Sequence, residues 1–224
     1  MKKIFLILVL TIFIFNKSYA ATGKGIATEY IVKMQKVELC EDSACASSTT
    51  VGDSSMSVNI ASVSAGADIG TYAPTTGLPL GTTFTHLRVT INRLFQVTGS
   101  ATAGSTTCVT DGGSDSTSTS LLDAGTGTAT STAMYLADAD GYAAADGDND
   151  ADQITISYSS PTYATSMTVS GSTAVMIYEL TSPYTVGIKS PVIKVIFNTD
   201  TAVGADDTAC VMWLEEPYCE ISIE

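Results

Sequence analysis

Residues 77–99, GLPLGTTFTHLRVTINRLFQVTG, open with a Leu-Pro-Leu-Gly turn signal and then alternate between apolar and polar side chains. One face carries Thr85, Leu87, Val89, Ile91, Phe95 and Val97, and the other carries His86, Arg88, Thr90, Asn92, Gln96 and Thr98. A period of two with β-branched residues is typical of a strand that is buried on one face. We therefore predict the central strand of a β-sandwich here, bent near residues 92–93, where Arg93 interrupts the apolar face.

The two faces of this strand predict different responses to substitution. Replacing Val89 or Ile91 with alanine is expected to cost on the order of 2–4 kcal/mol through lost burial and a cavity. Arg88→Ala, on the opposite face, is expected to cost little. Equal effects at Val89 and Arg88 would mean that the register is wrong by one residue.

Shorter strand patterns flank this stretch, and no amphipathic helical pattern of any length occurs. About nine or ten short strands separated by Gly, Pro, Asn and Asp turns predict an all-β antiparallel sandwich. The last two strands are predicted to form a hairpin around Glu215-Glu216-Pro217. The further predicted strands are residues 29–39 with a bulge near 35–36, 56–60, 153–158, 167–169, 174–180, 192–197, 208–214 and 218–223.

The chain is organised as an export signal followed by one domain. Residues 1–20 combine Lys2 and Lys3, a short apolar core and a Ser18-Tyr19-Ala20 cleavage site, which is typical of a secretory signal peptide; an uncleaved anchor is the alternative. The apolar core is too short to span a bilayer, so we expect a secreted, periplasmic or cell-surface protein with no stable membrane insertion after cleavage.

The predicted domain, residues 21–224, is divided by its composition. Residues 21–28 are small and Gly-rich and predict a mobile arm, and residues 29–99 hold the first strands. Residues 100–152 are almost all Ser, Thr, Gly, Ala and Asp, which predicts an insertion with a short hairpin around residues 134–136. Residues 153–224 hold the remaining strands.

The charge of the chain excludes some partners. The formal charge falls from −13 to −16 when Lys2, Lys3 and Lys17 leave with the signal. Such a surface is a poor match for nucleic acid or anionic membrane. It is compatible with divalent cations, or with solubility alone.

All five cysteines lie after the signal, and export makes disulfides the expectation. Cys40 and Cys45 flank a short loop, and Cys210 and Cys219 are symmetric about the predicted last turn. This spacing predicts the pairs Cys40–Cys45 and Cys210–Cys219, with Cys108 free or bridging two subunits. The alternative is that Cys108 pairs with one of the others.

The order of features in the first hundred residues resembles a known family. YIVKMQKVELC, MSVNI and the Leu-Pro-x-Gly entry into THLRVTI, within residues 29–99, are similar to uncharacterised secreted bacterial domains with a transthyretin-like (prealbumin) sandwich. The resemblance implies a β-sandwich and a surface or binding module without known catalysis.

Alternate aspartates form the best chemical signal. Carboxylates in a Gly-containing loop can converge on Ca²⁺, which takes six to eight oxygen ligands. The pattern departs from an EF-hand loop, because Gln153 and Ser159 stand where Gly and Glu are required. A solvated acidic turn is the alternative. The candidate ligands are Asp138, Asp140, Asp146, Asp148, Asp150 and Asp152.

The sequence patterns that would indicate catalysis or sugar binding are less specific than the aspartate pattern. His86 as a catalytic base would need a nucleophile and an orienting acid, and no Gly-x-Ser-x-Gly elbow occurs. Glu179 with Glu38 or Glu29 would supply a carboxylate pair for glycoside hydrolysis. A sugar-binding aromatic platform is the last candidate, and it consists of Trp213, Tyr218, Tyr184, Tyr163 and Tyr158.

These observations favour an exported, non-enzymatic β-sandwich that acts as a cell-surface or periplasmic structural or adhesive subunit, with self-assembly as one mode. The expected partners are other protein subunits or surface glycans. A calcium-stabilised carbohydrate-binding module is the alternative, and a hydrolase with a carboxylate pair comes third.

Overall fold

The computed structural model describes residues 21–62, 77–112, 122–123, 127–136, 162–189, 191–207 and 210–223. All regular elements in these ranges are strands. The described residues contain no helix that is long and apolar enough to cross a membrane. The strands are β1 Thr22–Cys40, β2 Ser48–Gly52, β3 Met56–Asn59, β4 Thr83–Asn92, β5 Leu94–Ala103, β6 Thr106–Val109, β7 Leu122–Asp123, β8 Thr132–Tyr135, β9 Ala164–Ser170, β10 Thr173–Thr185, β11 Ile193–Asn198, β12 Val203–Asp206, β13 Val211–Leu214 and β14 Tyr218–Ile223.

Twelve of these strands form one antiparallel sheet, and β11 pairs with β14 in a second. The path through the large sheet runs β7-β13-β12-β1-β4-β10-β9. The predicted all-β antiparallel, sandwich-like fold is therefore confirmed. The structure has more strands than predicted, and two of the additional ones, β2 and β6, are short and rich in Ser and Thr, which weakens their apolar period.

The strand with the most neighbours is β1, not residues 77–99. β4 and β5 follow one another along one edge of β1, and β2, β3 and β12 pair with its other edge. The predicted bulge near residues 35–36 is confirmed by a register shift between Met34 and Lys36. A long strand that serves two halves of a sheet needs such shifts, because each bulge bends it and increases its twist.

The predicted bend at residues 92–93 is confirmed, and Arg93 explains it. Arg93 separates β4 from β5 and is buried, with 6% of its surface exposed. Its guanidinium donates hydrogen bonds to the carbonyl oxygens of Leu136 (2.6 Å) and Gly171 (3.0 Å). A buried polar group needs such partners, so Arg93 ties the bend to β8 and to the β9–β10 turn.

The prediction of a mobile arm at residues 21–28 is wrong. β1 begins at Thr22, and this segment pairs with β12 on one side and β5 on the other. A Cβ atom at Gly23 would lie 1.9 Å from the Thr102 oxygen, and one at Gly25 would lie 2.0 Å from the Ser100 oxygen. These glycines therefore serve the close approach of two backbones rather than flexibility.

The core agrees only in part with the predicted faces. Leu87 and Ile91 are buried as expected, while Val89 is half-buried against the core. Phe84 is fully buried although it has the opposite parity, and it lies beyond the β4–β10 register shift between Glu179 and Tyr184. The largest fully buried side chains include Phe84, Leu39, Met134, Met212, Ile221, Val97 and Val203.

Two boundary predictions change. The predicted last hairpin is wrong, since β13 pairs with β12 and β7 whereas β14 pairs with β11. The predicted insertion, residues 100–152, begins as ordinary sheet: β5 continues to Ala103, and both β6 and β8 pair with it. The signal at residues 1–20 and the predicted strand at 153–158 lie outside the described residues.

Candidate functional site

The disulfides agree with one predicted pair and contradict the other. Cys40–Cys45 is present, with Cα atoms 4.9 Å apart. The predicted pair Cys210–Cys219 is wrong, because Cys210 is bonded to Cys108 and Cys219 is a buried free thiol. Two disulfides indicate an oxidising, extracytoplasmic environment.

The wrong pairing has a conformational cause. Cys210 has φ 52°, in the left-handed region, and it precedes β13 rather than lying in an extended ladder. Cys219 lies in β14, in the other sheet, so the two residues do not face each other. Cys108, which was expected to be free or to bridge two subunits, is fully buried in β6.

Arg88 and Glu38 form an ion pair at the β1–β4 interface. Arg88 Nε lies 2.8 Å from Glu38 Oε2, and its Nη2 lies 2.9 Å from Oε1. Lys36 Nζ lies 2.8 Å from the same Oε1, and Ser48 Oγ lies 3.3 Å from it. We call these four residues the Glu38 cluster. Glu38 is 5% exposed and the Arg88 side chain is 25% exposed, so the polar face of the predicted strand is partly covered at this point.

The electrostatics of the Glu38 cluster favour a fixed carboxylate. Hydrogen bonds from Arg88 lower the pKa of Glu38 from 4.5 to about 2; burial opposes this shift and Lys36 adds to it. The same bonds raise the pKa of Arg88. Arg88 also donates to the Cys45 carbonyl oxygen at 3.4 Å, so the cluster attaches the small disulfide loop to the sheet. An ionised, bidentate carboxylate is a structural anchor and is unsuited to general acid catalysis.

The other residues that were weighed as catalytic candidates are held by contacts within and next to the sheet. His86 Nδ1 lies 2.8 Å from Thr85 Oγ1, which donates to the Glu41 carbonyl oxygen. Glu29 accepts a hydrogen bond from Thr98 Oγ1 at 2.9 Å. Glu179 is exposed on β10, opposite His86. These contacts are the kind that hold strands and turns together.

The described members of the candidate aromatic platform lie in different environments. Trp213 is buried, with 3% of its surface exposed, and its Nε1 donates to Glu215 Oε1 at 2.9 Å. Tyr163 and Tyr218 pack edge to face with ring centroids 6.2 Å apart, whereas Tyr184 is half-buried beside the core on β10. Tyr158 lies outside the described residues.

A second polar cluster, which the sequence did not predict, lies at the crossing from β13 to β14 and contains Glu215, Glu216, Lys24 and Tyr30. Glu215 is 3% exposed; its Oε2 pairs with Lys24 Nζ at 2.8 Å, and its carbonyl oxygen accepts from Tyr30 Oη. Glu216 Oε1 accepts from the Ala164 backbone nitrogen at 2.6 Å.

This second cluster stabilises the neutral form of its tyrosine. Burial raises the pKa of Tyr30 far above its usual value, and the negative charges of Glu216 and Glu215 raise it further. The sequence predicted a hairpin around Glu215-Glu216-Pro217 and did not indicate that Glu215 is buried. The nearby Trp213 is the one local signal, because a buried indole N–H needs an acceptor.

The predicted calcium ligands, Asp138, Asp140, Asp146, Asp148, Asp150 and Asp152, lie outside the described residues. Within the described ranges, no three His, Cys, Asp or Glu side chains are grouped so as to hold a metal ion. The calcium site therefore stays a prediction from the aspartate spacing.

Comparisons with known proteins found no counterpart. No protein-family model, curated protein or solved structure matches the chain. The transthyretin-like resemblance therefore stays a prediction, and function has to be argued from this chain's own residues.

Proposed function

We propose that the chain is an exported, non-enzymatic β-sandwich that acts as a structural or adhesive subunit at the cell surface or in the periplasm and assembles with further copies of itself. The two disulfides support export. The buried carboxylates Glu38 and Glu215, both held in ion pairs, support a structural role for the charged residues of the core.

The observation that carries the proposal is the composition of β9, which ends the path through the large sheet. Among the described strands, β9 pairs only with β10. Its sequence, ATSMTVS, contains no charged residue and no proline. Edge strands of monomeric proteins are commonly protected by such residues, because unpaired backbone groups pair with other chains. Within the described residues, this edge of β9 beyond Ala164, whose nitrogen is bound by Glu216, carries no such protection, which fits strand addition between copies.

The test is the replacement Thr168→Lys. Thr168 is exposed on β9, and a lysine there should block edge pairing by charge repulsion and desolvation. We expect concentration-dependent filaments of the wild-type protein in negative-stain microscopy, and their loss in the variant.

Gln96→Lys is the matched control, because Gln96 is exposed on β5, which has a partner on both edges. This variant should assemble like the wild type. A wild-type protein that stays monomeric at millimolar concentration, or equal loss of filaments in both variants, would refute assembly through β9.

The aspartate spacing supports a second proposal, a calcium-stabilised module that binds surface carbohydrate. A cation that binds only the folded state stabilises it by mass action, by about 2.7 kcal/mol at a hundredfold excess over Kd. We expect millimolar Ca²⁺, added after chelation, to raise Tm by several degrees, and replacement of Asp146, Asp148 and Asp150 by Asn to abolish the rise. An unchanged Tm on calcium addition would overturn this proposal.

A further inference from the structure

The backbone of Ala21 is bound by the carboxylate of Asp207. The Ala21 nitrogen lies 2.7 Å from Asp207 Oδ1, and the Asp207 nitrogen donates to the Ala21 carbonyl oxygen at 3.0 Å. Ala21 directly follows the predicted cleavage bond after Ala20. The atom held by Asp207 is therefore the one that cleavage would convert into the N-terminus.

The position of Ala21 is fixed from two sides. On one side, Thr22 is in register with Asp206 at the start of the β1–β12 ladder. On the other side, Gly104 in the β5–β6 turn has φ +55°, and a Cβ atom there would lie 2.7 Å from Asp207 Oδ2 and 3.3 Å from the Ala21 Cβ. Gly104 thus leaves the space that the Asp207 carboxylate and Ala21 occupy.

We propose that Asp207 is the binding site for the mature N-terminus: hydrolysis of the Ala20–Ala21 bond creates an α-ammonium group that pairs with the Asp207 carboxylate. Water supplies the atoms. The hydroxyl remains on the Ala20 carbonyl carbon as a carboxylate after loss of its proton, and the released Ala21 amine takes up a proton. The protease is of the signal-peptidase class, and no oxidation or reduction occurs.

Cleavage of the signal peptide is expected to strengthen the bond between the Ala21 nitrogen and the Asp207 carboxylate. Before cleavage, Asp207 accepts a hydrogen bond from a neutral amide. After cleavage, the donor is charged at neutral pH, since an α-amino group has a pKa of about 8. The carboxylate already strengthens this hydrogen bond before cleavage, and cleavage adds the Coulomb attraction between two opposite charges. Processing would therefore tighten the first ladder of β1, in which Gly23 and Gly25 offer no side chains of their own.

The inference rests on the export part of the proposed function. Two measurements distinguish a failure of export from a failure of the Ala21–Asp207 ion pair. Mass spectrometry of protein collected outside the cytoplasm should give Ala21 as the first residue. A different first residue would overturn the site. The ion pair is measured on chain 21–224 refolded with its disulfides, with Ala21 exposed by an engineered protease site. Failure of export therefore leaves this second measurement decisive.

The second measurement is a double-mutant cycle by urea unfolding. Asp207→Asn is combined with one glycine inserted before Ala21, which turns the Ala21 nitrogen back into an amide. We expect Asp207→Asn to lower the folded-to-unfolded ratio about tenfold with the free N-terminus and less than about threefold with the insertion. Asp200→Asn, in an exposed turn, is the control for lost charge and should show no such dependence. Equal effects of Asp207→Asn in both backgrounds would overturn the ion pair.

Discussion

Replacing Cys108 and Cys210 together with alanine is expected to lower the free energy of unfolding by about 4 kcal/mol. Their disulfide joins residues 102 positions apart, from β6 to the start of β13. In the chain-entropy account, a crosslink stabilises by restricting the unfolded chain, and a loop of about 100 residues corresponds to roughly 4.7 kcal/mol. The measurement is equilibrium unfolding in urea under oxidising conditions.

Two control variants make this result specific. Alanines at Cys40 and Cys45 should cost only about 2 kcal/mol, because that disulfide closes a loop with a sequence separation of 5. Cys219→Ala should cost about 1 kcal/mol, as for an ordinary buried substitution. If Cys219→Ala destabilised the protein as much as the double variant, the loss in the double variant would not be specific to the Cys108–Cys210 disulfide.

The same cysteines show where sequence reasoning succeeds. Cys40 and Cys45 are close in the chain, so the short loop between them was sufficient to predict their bond. The assignment of Cys210 depended on a hairpin that the chain does not make. Residues 215–217 do separate two strands as expected, yet their spacing did not reveal that β13 and β14 belong to different sheets. Which sheet a strand joins depends on contacts distant in sequence, here those of Glu215 and Trp213.

The prediction of the strands was limited in the same way, because local sequence does not show contacts between distant residues. Alternation in residues 77–99 predicted most of the buried face and the bend at Arg93, because these depend on local side-chain order; Phe84 and Val89 are the exceptions. The central position of β1 was missed for two reasons. Its first residues are glycine-rich, and its register shifts between Ala27 and Glu29 and again near Met34. Each shift reverses the parity of the apolar residues, so no single period of two spans the strand.

Arg88→Ala is expected to lower the free energy of unfolding by about 3 kcal/mol at neutral pH, contrary to the small cost expected from its face of the strand. Removing one partner of a buried ion pair leaves the other charge uncompensated, which typically costs 3–5 kcal/mol. Glu38 would keep Lys36 and Ser48 as partners, which places the expected value at the low end. Lys33→Ala, at an exposed position of β1, is the control and should change stability by less than about 0.5 kcal/mol.

The pH dependence identifies the cause of this loss. The pKa of Glu38 is about 2 in the folded state and 4.5 without the fold. Its ion pair therefore stabilises the protein fully above about pH 4.5 and is lost as the pH falls toward 2. The stability difference between wild type and Arg88→Ala should shrink over that window, and Glu38→Gln introduced first should remove most of it. A difference that stayed constant from pH 7 to pH 2 would instead assign the loss to packing of the Arg88 stem.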